Sequence, residues 1–92
     1  DVSVSNIYVF SPKGEVKELP EGSTPLDYAY LIHSDIGHHC YGARVNGRIV
    51  PLTYNLQTGD VIEILTSKSQ QPHMGWLDVV VTGKARTRIR QR

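Results

Sequence analysis

The chain has 92 residues, of which 39% are hydrophobic and 21% charged, with a net charge of +1. It is one small domain, too short for two cores, too apolar for a disordered tail, and without an apolar run near the roughly 18 residues of a membrane span. The single Cys40 excludes an internal disulfide framework and fits a reducing compartment, and no charged-then-apolar leader opens the chain, so a cytoplasmic protein is expected.

The first element is Asn6–Phe10, β-branched and aromatic, with Ile7 and Val9 on one face of a strand and Tyr8 and Phe10 on the other. Ser11, Pro12, Lys13 and Gly14 supply a turn, and residues 15–19 can pair back antiparallel. After the break at Pro20, Glu21 and Gly22 comes a helix start. Thr24 suits the N-cap, Pro25 the first helical position, and Asp27 the positive end of the macrodipole. Leu26, Ala29, Tyr30 and His33 share one helical face, and the helix is expected to end near Ser34, before Gly37.

Residues 41–45, Asn46-Gly47 and residues 48–52 form the strongest hairpin signal, since Asn-Gly is the preferred pair for a two-residue type I′ turn. Ala43 and Val45 fall on one face and Arg44 on the other. Residues 53–57 suggest a single turn, Gly59-Asp60 another, and residues 61–65 alternate as a strand. The order β-β-α-β-β-β predicts an α+β, β-grasp (ubiquitin-like) fold, a mixed sheet crossed by one helix.

Beyond Thr66 the texture changes. Residues 67–75 read as a linker or surface loop, Trp76-Leu77 as an apolar anchor, and residues 82–92 as a cationic extension. Residues 1–67 hold four bases against eight acids, a net −4; residues 68–92 hold six bases against Asp78, a net +5. As a helix the extension aligns Ala85 with Ile89; as a strand it presents one basic face. It reads either as a phosphate contact or as the first turns of a helix belonging to a following segment.

His33, His38, His39 and Cys40 are the densest chemical cluster. A zinc site is disfavoured, because structural sites draw paired ligands from separate elements and these crowd one loop. A Cys–His nucleophile lacks an orienting third group. His33 can be a half-buried core or helix-capping residue, which the pattern alone favours, or a ligand contact offering a donor, an acceptor and a flat face. Asp60 and Glu63 read as a turn aspartate and a solvent-face glutamate rather than a catalytic pair. Arg44 and Arg48 flank the Asn-Gly turn and read as a solvated face or a phosphate-binding pair.

Tyr8-Val9-Phe10 with Pro12-Lys13-Gly14, the helix over 27–33, and Gly42-Ala43-Arg44-Val45-Asn46-Gly47 together resemble a TGS domain, as do Leu56, Gly59-Asp60 and Glu63-Ile64. Among TGS proteins the chain is most similar to the RelA/SpoT family of guanosine tetra- and pentaphosphate synthetases and hydrolases (GTP pyrophosphokinases). The likeness continues through Trp76 and residues 81–86. It implies a TGS β-grasp domain over residues 5–66, then a linker and the start of a helical segment over 67–92. It also implies a regulatory module of the bacterial stringent response rather than an enzyme in its own right, without metal or cofactor. The implied partners are the 3′ CCA end of deacylated tRNA on the ribosome and the catalytic and other regulatory domains of the same polypeptide, with no membrane. Matched to the family, His33 becomes the leading tRNA contact, with His38, Arg44 and Lys13 as further candidates. Two other classes remain: a docking module that holds the catalytic domains in check, and a small-ligand sensor.

Overall fold

The computed structural model describes residues 5–91. β1 (Asn6–Phe10) and β2 (Val16–Pro20) form an antiparallel hairpin in which Ile7 pairs with Leu19 and Phe10 with Val16. Ile7, Val9 and Leu19 are buried while Tyr8, Phe10 and Val16 face outward, the alternation the pleat requires. β3 (Cys40–Val45) is flanked by β4 (Arg48–Val50) and β5 (Ile62–Thr66), both antiparallel to it. The β3–β4 turn has Asn46 at φ 52° and Gly47 at φ 86°, the two left-handed residues of a type I′ turn. Asn46 also anchors the turn: its amide donates to Asp60 Oδ1 at 3.0 Å and its carbonyl accepts the Val61 N–H at 2.9 Å.

The two sheets meet at one parallel bridge, Phe10 with Val61, extended by bonds from Phe10 N–H to Asp60 O and from Gly59 N–H to Tyr8 O. This is the α+β, β-grasp arrangement, realised as two antiparallel sheets stitched by a parallel contact. Asp60 is the turn aspartate expected: its carboxylate accepts the Gln57 N–H at 2.8 Å and the Asn46 amide.

α1 (Pro25–Ile32) starts with Pro at its first position and a capping box between Thr24 and Asp27. It crosses the sheets and is covered on two sides. Tyr28 joins Ile7, Val9, Val45, Leu56 and Ile62 in one cluster; Leu26, Ala29 and Tyr30 join Cys40, Trp76 and Val80 in another. Each large apolar side chain so buried contributes about 1.5–3 kcal/mol.

α1 ends sooner than its apolar spacing suggests. His33 is extended (φ −167°, ψ 144°), and a separate short helix, α2 (Ser34–His38), follows. His33 is therefore a junction, C-cap of one helix and N-cap of the next, and not part of the buried stripe. Gly37 does not stop a helix; it lies inside α2, where an added Cβ would overlap the Tyr30 ring, so glycine lets α2 rest directly on that ring.

Residues 67–91 return to the body. A 3₁₀ turn (Met74–Asp78) buries Trp76, and α3 (Gly83–Gln91) buries Ala85 and Ile89 against the second cluster. Asp27 fastens this return. Its buried carboxylate accepts from Thr24 N–H and hydroxyl, Val81 N–H, Thr82 N–H and the Thr82 hydroxyl, each at 3.0 Å. Thr82 Oγ1 in turn accepts the Ala85 N–H, as an N-cap does. One anion thus serves the N-terminal ends of α1 and α3 together, where both macrodipoles favour negative charge.

Candidate functional site

The α1–α2 junction overlooks a groove between the helices and β5. Its walls are Pro12 from the first hairpin turn, Tyr28 and Ile32 from α1, Ile36 from α2, and Ile64 from β5, around about 270 Å³. A neighbouring hollow of about 400 Å³ continues it past Ile36, His39, Thr66 and Lys68. Ile32 is 40% exposed on this rim.

His33 follows Ile32 on that rim with its side chain 64% exposed. Its Nδ1 accepts the Asp35 N–H at 3.0 Å, the N-cap bond of α2. In the neutral ring that bond leaves the proton on Nε2, so the imidazole offers an outward N–H donor and a flat face. Local structure therefore fixes both the position and the tautomer of the ring.

The other candidates divide. Lys13 is exposed in the turn beside Pro12, at the edge of the groove. Arg44 Nη1 meets Glu63 Oε1 at 2.9 Å, the pair standing on the face of β3 and β5 opposite the buried Ala43, Val45 and Ile62. Arg44 thus has a carboxylate neighbour across β3 and β5 and remains partly exposed. His38 turns inward: its Nδ1 lies 2.9 Å from the Tyr30 hydroxyl, and the rings meet edge to face at 5.3 Å. His33 and Lys13 each adjoin a groove residue, Ile32 and Pro12 respectively, whereas Arg44 pairs with Glu63 on the outer face of the sheet and His38 packs on Tyr30 beneath α2.

The histidine–cysteine cluster disperses on folding. His39 Nδ1 lies 3.1 Å from the Gln70 carbonyl, and Cys40 is buried with its Sγ on the Gly42 carbonyl at 3.5 Å. Burial raises the Cys40 thiol to about 11, so it keeps its proton at neutral pH and is neither a thiolate ligand nor a nucleophile. Burial, and secondarily Cys40, raises the Tyr30 hydroxyl to about 12. Among the described residues no three His, Cys, Asp or Glu side chains are grouped to hold a metal ion, and no helix is long and apolar enough to cross a membrane.

The groove walls were the part hidden from sequence reading. Ile32 and Ile36 lie on either side of the helix break and both line the groove; what the sequence pattern does not encode is the pairing of these helices with Pro12 and Ile64 from distant elements. Gly37 carried a usable signal, but as a close-approach glycine rather than a helix stop.

Comparison with known proteins gives a family and close relatives. The family model described as TGS domain matches residues 7–66. The chain is 56% identical over 87 residues to a GTP pyrophosphokinase of Escherichia coli, covering 90% of this chain and 12% of that protein. It is 53% identical over 85 residues to a guanosine-3′,5′-bis(diphosphate) 3′-pyrophosphohydrolase of Aquifex aeolicus, covering 92% of this chain and 12% of that protein. It is 50% identical over 93 residues to a bifunctional (p)ppGpp synthase/hydrolase RelA of Mycobacterium tuberculosis, covering 99% and 13%. The chain therefore spans about an eighth of the length of the curated relatives it matches.

Proposed function

We propose a function for this chain from the premise that it belongs to the TGS domain family. It is the regulatory module of a (p)ppGpp synthetase/hydrolase of the bacterial stringent response, acting in the cytoplasm and leaving catalysis to other parts of the polypeptide. The module reads the 3′ CCA end of deacylated tRNA on the ribosome. Identity of 50% or more across nearly the whole chain to proteins named for synthesis and hydrolysis of these nucleotides supports the parent activity.

The observation that carries the tRNA reading is His33, exposed, held by the α2 N-cap bond at Nδ1, and next in the chain to Ile32 of the apolar groove. Single-stranded RNA is recognised by stacking and by hydrogen bonds to base edges and 2′-hydroxyls, and this rim offers both. Lys13 is exposed in the turn beside Pro12, where it can meet a phosphate, and Arg44 can do so only by sharing its guanidinium with Glu63. An amino acid esterified to the terminal ribose adds bulk at the groove, which gives a steric means of telling charged from uncharged tRNA. The acidic body binds RNA weakly by itself, so the ribosome supplies most of the positioning.

The test is binding of deacylated tRNA by the full-length protein. His33→Glu lowers affinity about tenfold, the order of one lost stacking contact of about 1–3 kcal/mol. His33→Asn removes the ring but keeps a side-chain acceptor for the α2 cap, so it separates loss of recognition from loss of the helix start. Parent-like affinity in both folded variants refutes the role of His33.

A second reading has its own support. Phe10, Val16 and Val61 are exposed side by side where the sheets join. That apolar row suits docking onto catalytic or other regulatory domains, and both functions fit one module because the row and the groove are separate surfaces.

A further inference from the structure

We propose that the outward face of α3 is a surface for the phosphate backbone of RNA, with Lys84, Arg88 and Arg90 as its contacts. The proposal goes beyond recognition of a 3′ end and does not depend on it.

α3 is held from beneath by Ala85 and Ile89, both buried. At 100° per residue its cations fall into two files: Lys84 with Arg88 on one flank, Arg86 with Arg90 on the other. Each file is a like-charge pair four residues apart, an arrangement that weakens a helix. Lys84 adds to this by standing in the first turn, at the positive end of the macrodipole.

The fold supplies no relief. Among the described residues the close pair of permanently charged side chains is Arg44–Glu63, which does not involve α3. Of the acids on the elements packed against α3, Asp27 is saturated by N–H and O–H donors, Asp35 lies near His33, and Asp78 is exposed at the end of the 3₁₀ turn. Arg86 turns back to donate to the Leu77 and Val80 carbonyls. Lys84, Arg88 and Arg90 stay exposed. A helix that keeps its repulsion uncompensated within its own fold marks a surface whose counter-charge comes from a partner.

The partner's chemistry follows from what the face lacks. The apolar side of α3 is spent on the body, which leaves nothing to insert into a lipid surface. Its exposed crest, Thr87 and Gln91, carries no aromatic or aliphatic anchor of the kind that centres a protein interface. Guanidinium forks flanking hydroxyl and amide groups match phosphodiesters and ribose hydroxyls. Leu26 and Tyr30 of α1 face the cluster under α3, whereas Tyr28 and Ile32 line the groove, so the two surfaces lie on different sides of α1.

The test compares the 92-residue chain with its Lys84→Gln/Arg88→Gln/Arg90→Gln variant, measuring affinity for an RNA stem-loop by fluorescence anisotropy across a salt series. The slope of log K against log salt becomes shallower by about 2 in the variant, at roughly 0.7–0.9 per phosphate contact. Its thermal midpoint holds or rises, because two repulsive files are gone. His33→Asn keeps the parent slope, so failure of this surface and failure of the 3′-end reading appear in different proteins. Equal slopes and affinities for parent and triple variant overturn the proposal. So does binding of polyglutamate or anionic vesicles as tightly as the RNA.

Discussion

Asp27→Asn removes a charge and one acceptor at the point where two helices begin. In the parent, Oδ2 accepts the Thr24 N–H and hydroxyl, Oδ1 accepts the Thr82 N–H and hydroxyl, and the Val81 N–H is shared at 3.0 and 3.1 Å. Asparagine has a single carbonyl oxygen. Whichever way its amide turns, the NH₂ faces a backbone N–H that has no other acceptor nearby, either at Thr24 or at Val81 and Thr82. One buried unsatisfied N–H costs about 1–3 kcal/mol, and losing charge assistance on the remaining bonds about 1 kcal/mol more. The lower desolvation cost of an amide offsets part of this, leaving a loss of roughly 2–4 kcal/mol. That is a large share of the roughly 5–15 kcal/mol that holds a domain together. Trp76, the only tryptophan and 3% exposed, lies in the cluster beneath α3 and reports the event. The urea midpoint should fall, Trp76 emission should shift red ahead of the far-ultraviolet transition, and the Val81 and Thr82 amides should exchange faster. Thr24→Ala, which spares the carboxylate, should cost about 1 kcal/mol and leave the emission in place. A loss below about 0.5 kcal/mol in Asp27→Asn, with unchanged exchange at Val81 and Thr82, refutes the latch.

Gly37→Ala forces α2 off the Tyr30 ring; we expect a loss of about 1–3 kcal/mol and shifted Tyr30 and His38 resonances, and an unperturbed Tyr30 spectrum counts against the close approach. Alkali should destabilise the fold through Cys40. The native thiol keeps its proton to about 11 against an ordinary 9.0, so stability is intact below pH 9 and declines as pH rises toward 11. The linkage amounts to roughly 2 kcal/mol by pH 11 and should be visible as a falling urea midpoint. Tyr30, raised to about 12, adds in the same direction at higher pH. Cys40→Ala should flatten the pH 9–11 portion of the curve; an unchanged slope removes the thiol from the account.

Most strands and the start of α1 were legible because their causes are local. Alternation in Asn6–Phe10 needs only a pleat, Asn46-Gly47 only a type I′ turn, and Thr24-Pro25 only a helix start. The end of α1 was legible to within two residues, but the restart into α2 was not, because the backbone breaks at His33 to lay α2 on Tyr30, a tertiary contact. Asp27 was legible as a first-turn acid, but its second set of bonds goes to residues more than fifty positions later, which no local pattern encodes. For the site, a histidine at the helix end was visible; its outward direction comes from the N-cap bond to Asp35. The direction of His38 was hidden for a related reason, since a helical turn rather than a loop points it at Tyr30.

The bridge between Phe10 and Val61 has a kinetic consequence. Both hairpins are built from neighbours in sequence and can form on their own within microseconds. The stitch that joins them is carried by the approach to β5, the last strand in chain order, and closing it spans some fifty residues. Loop-closure entropy therefore falls on one late event, and the folding barrier belongs there. A chain emerging from synthesis holds two hairpins that no strand-to-strand contact joins until residues 59–66 arrive and make them one body.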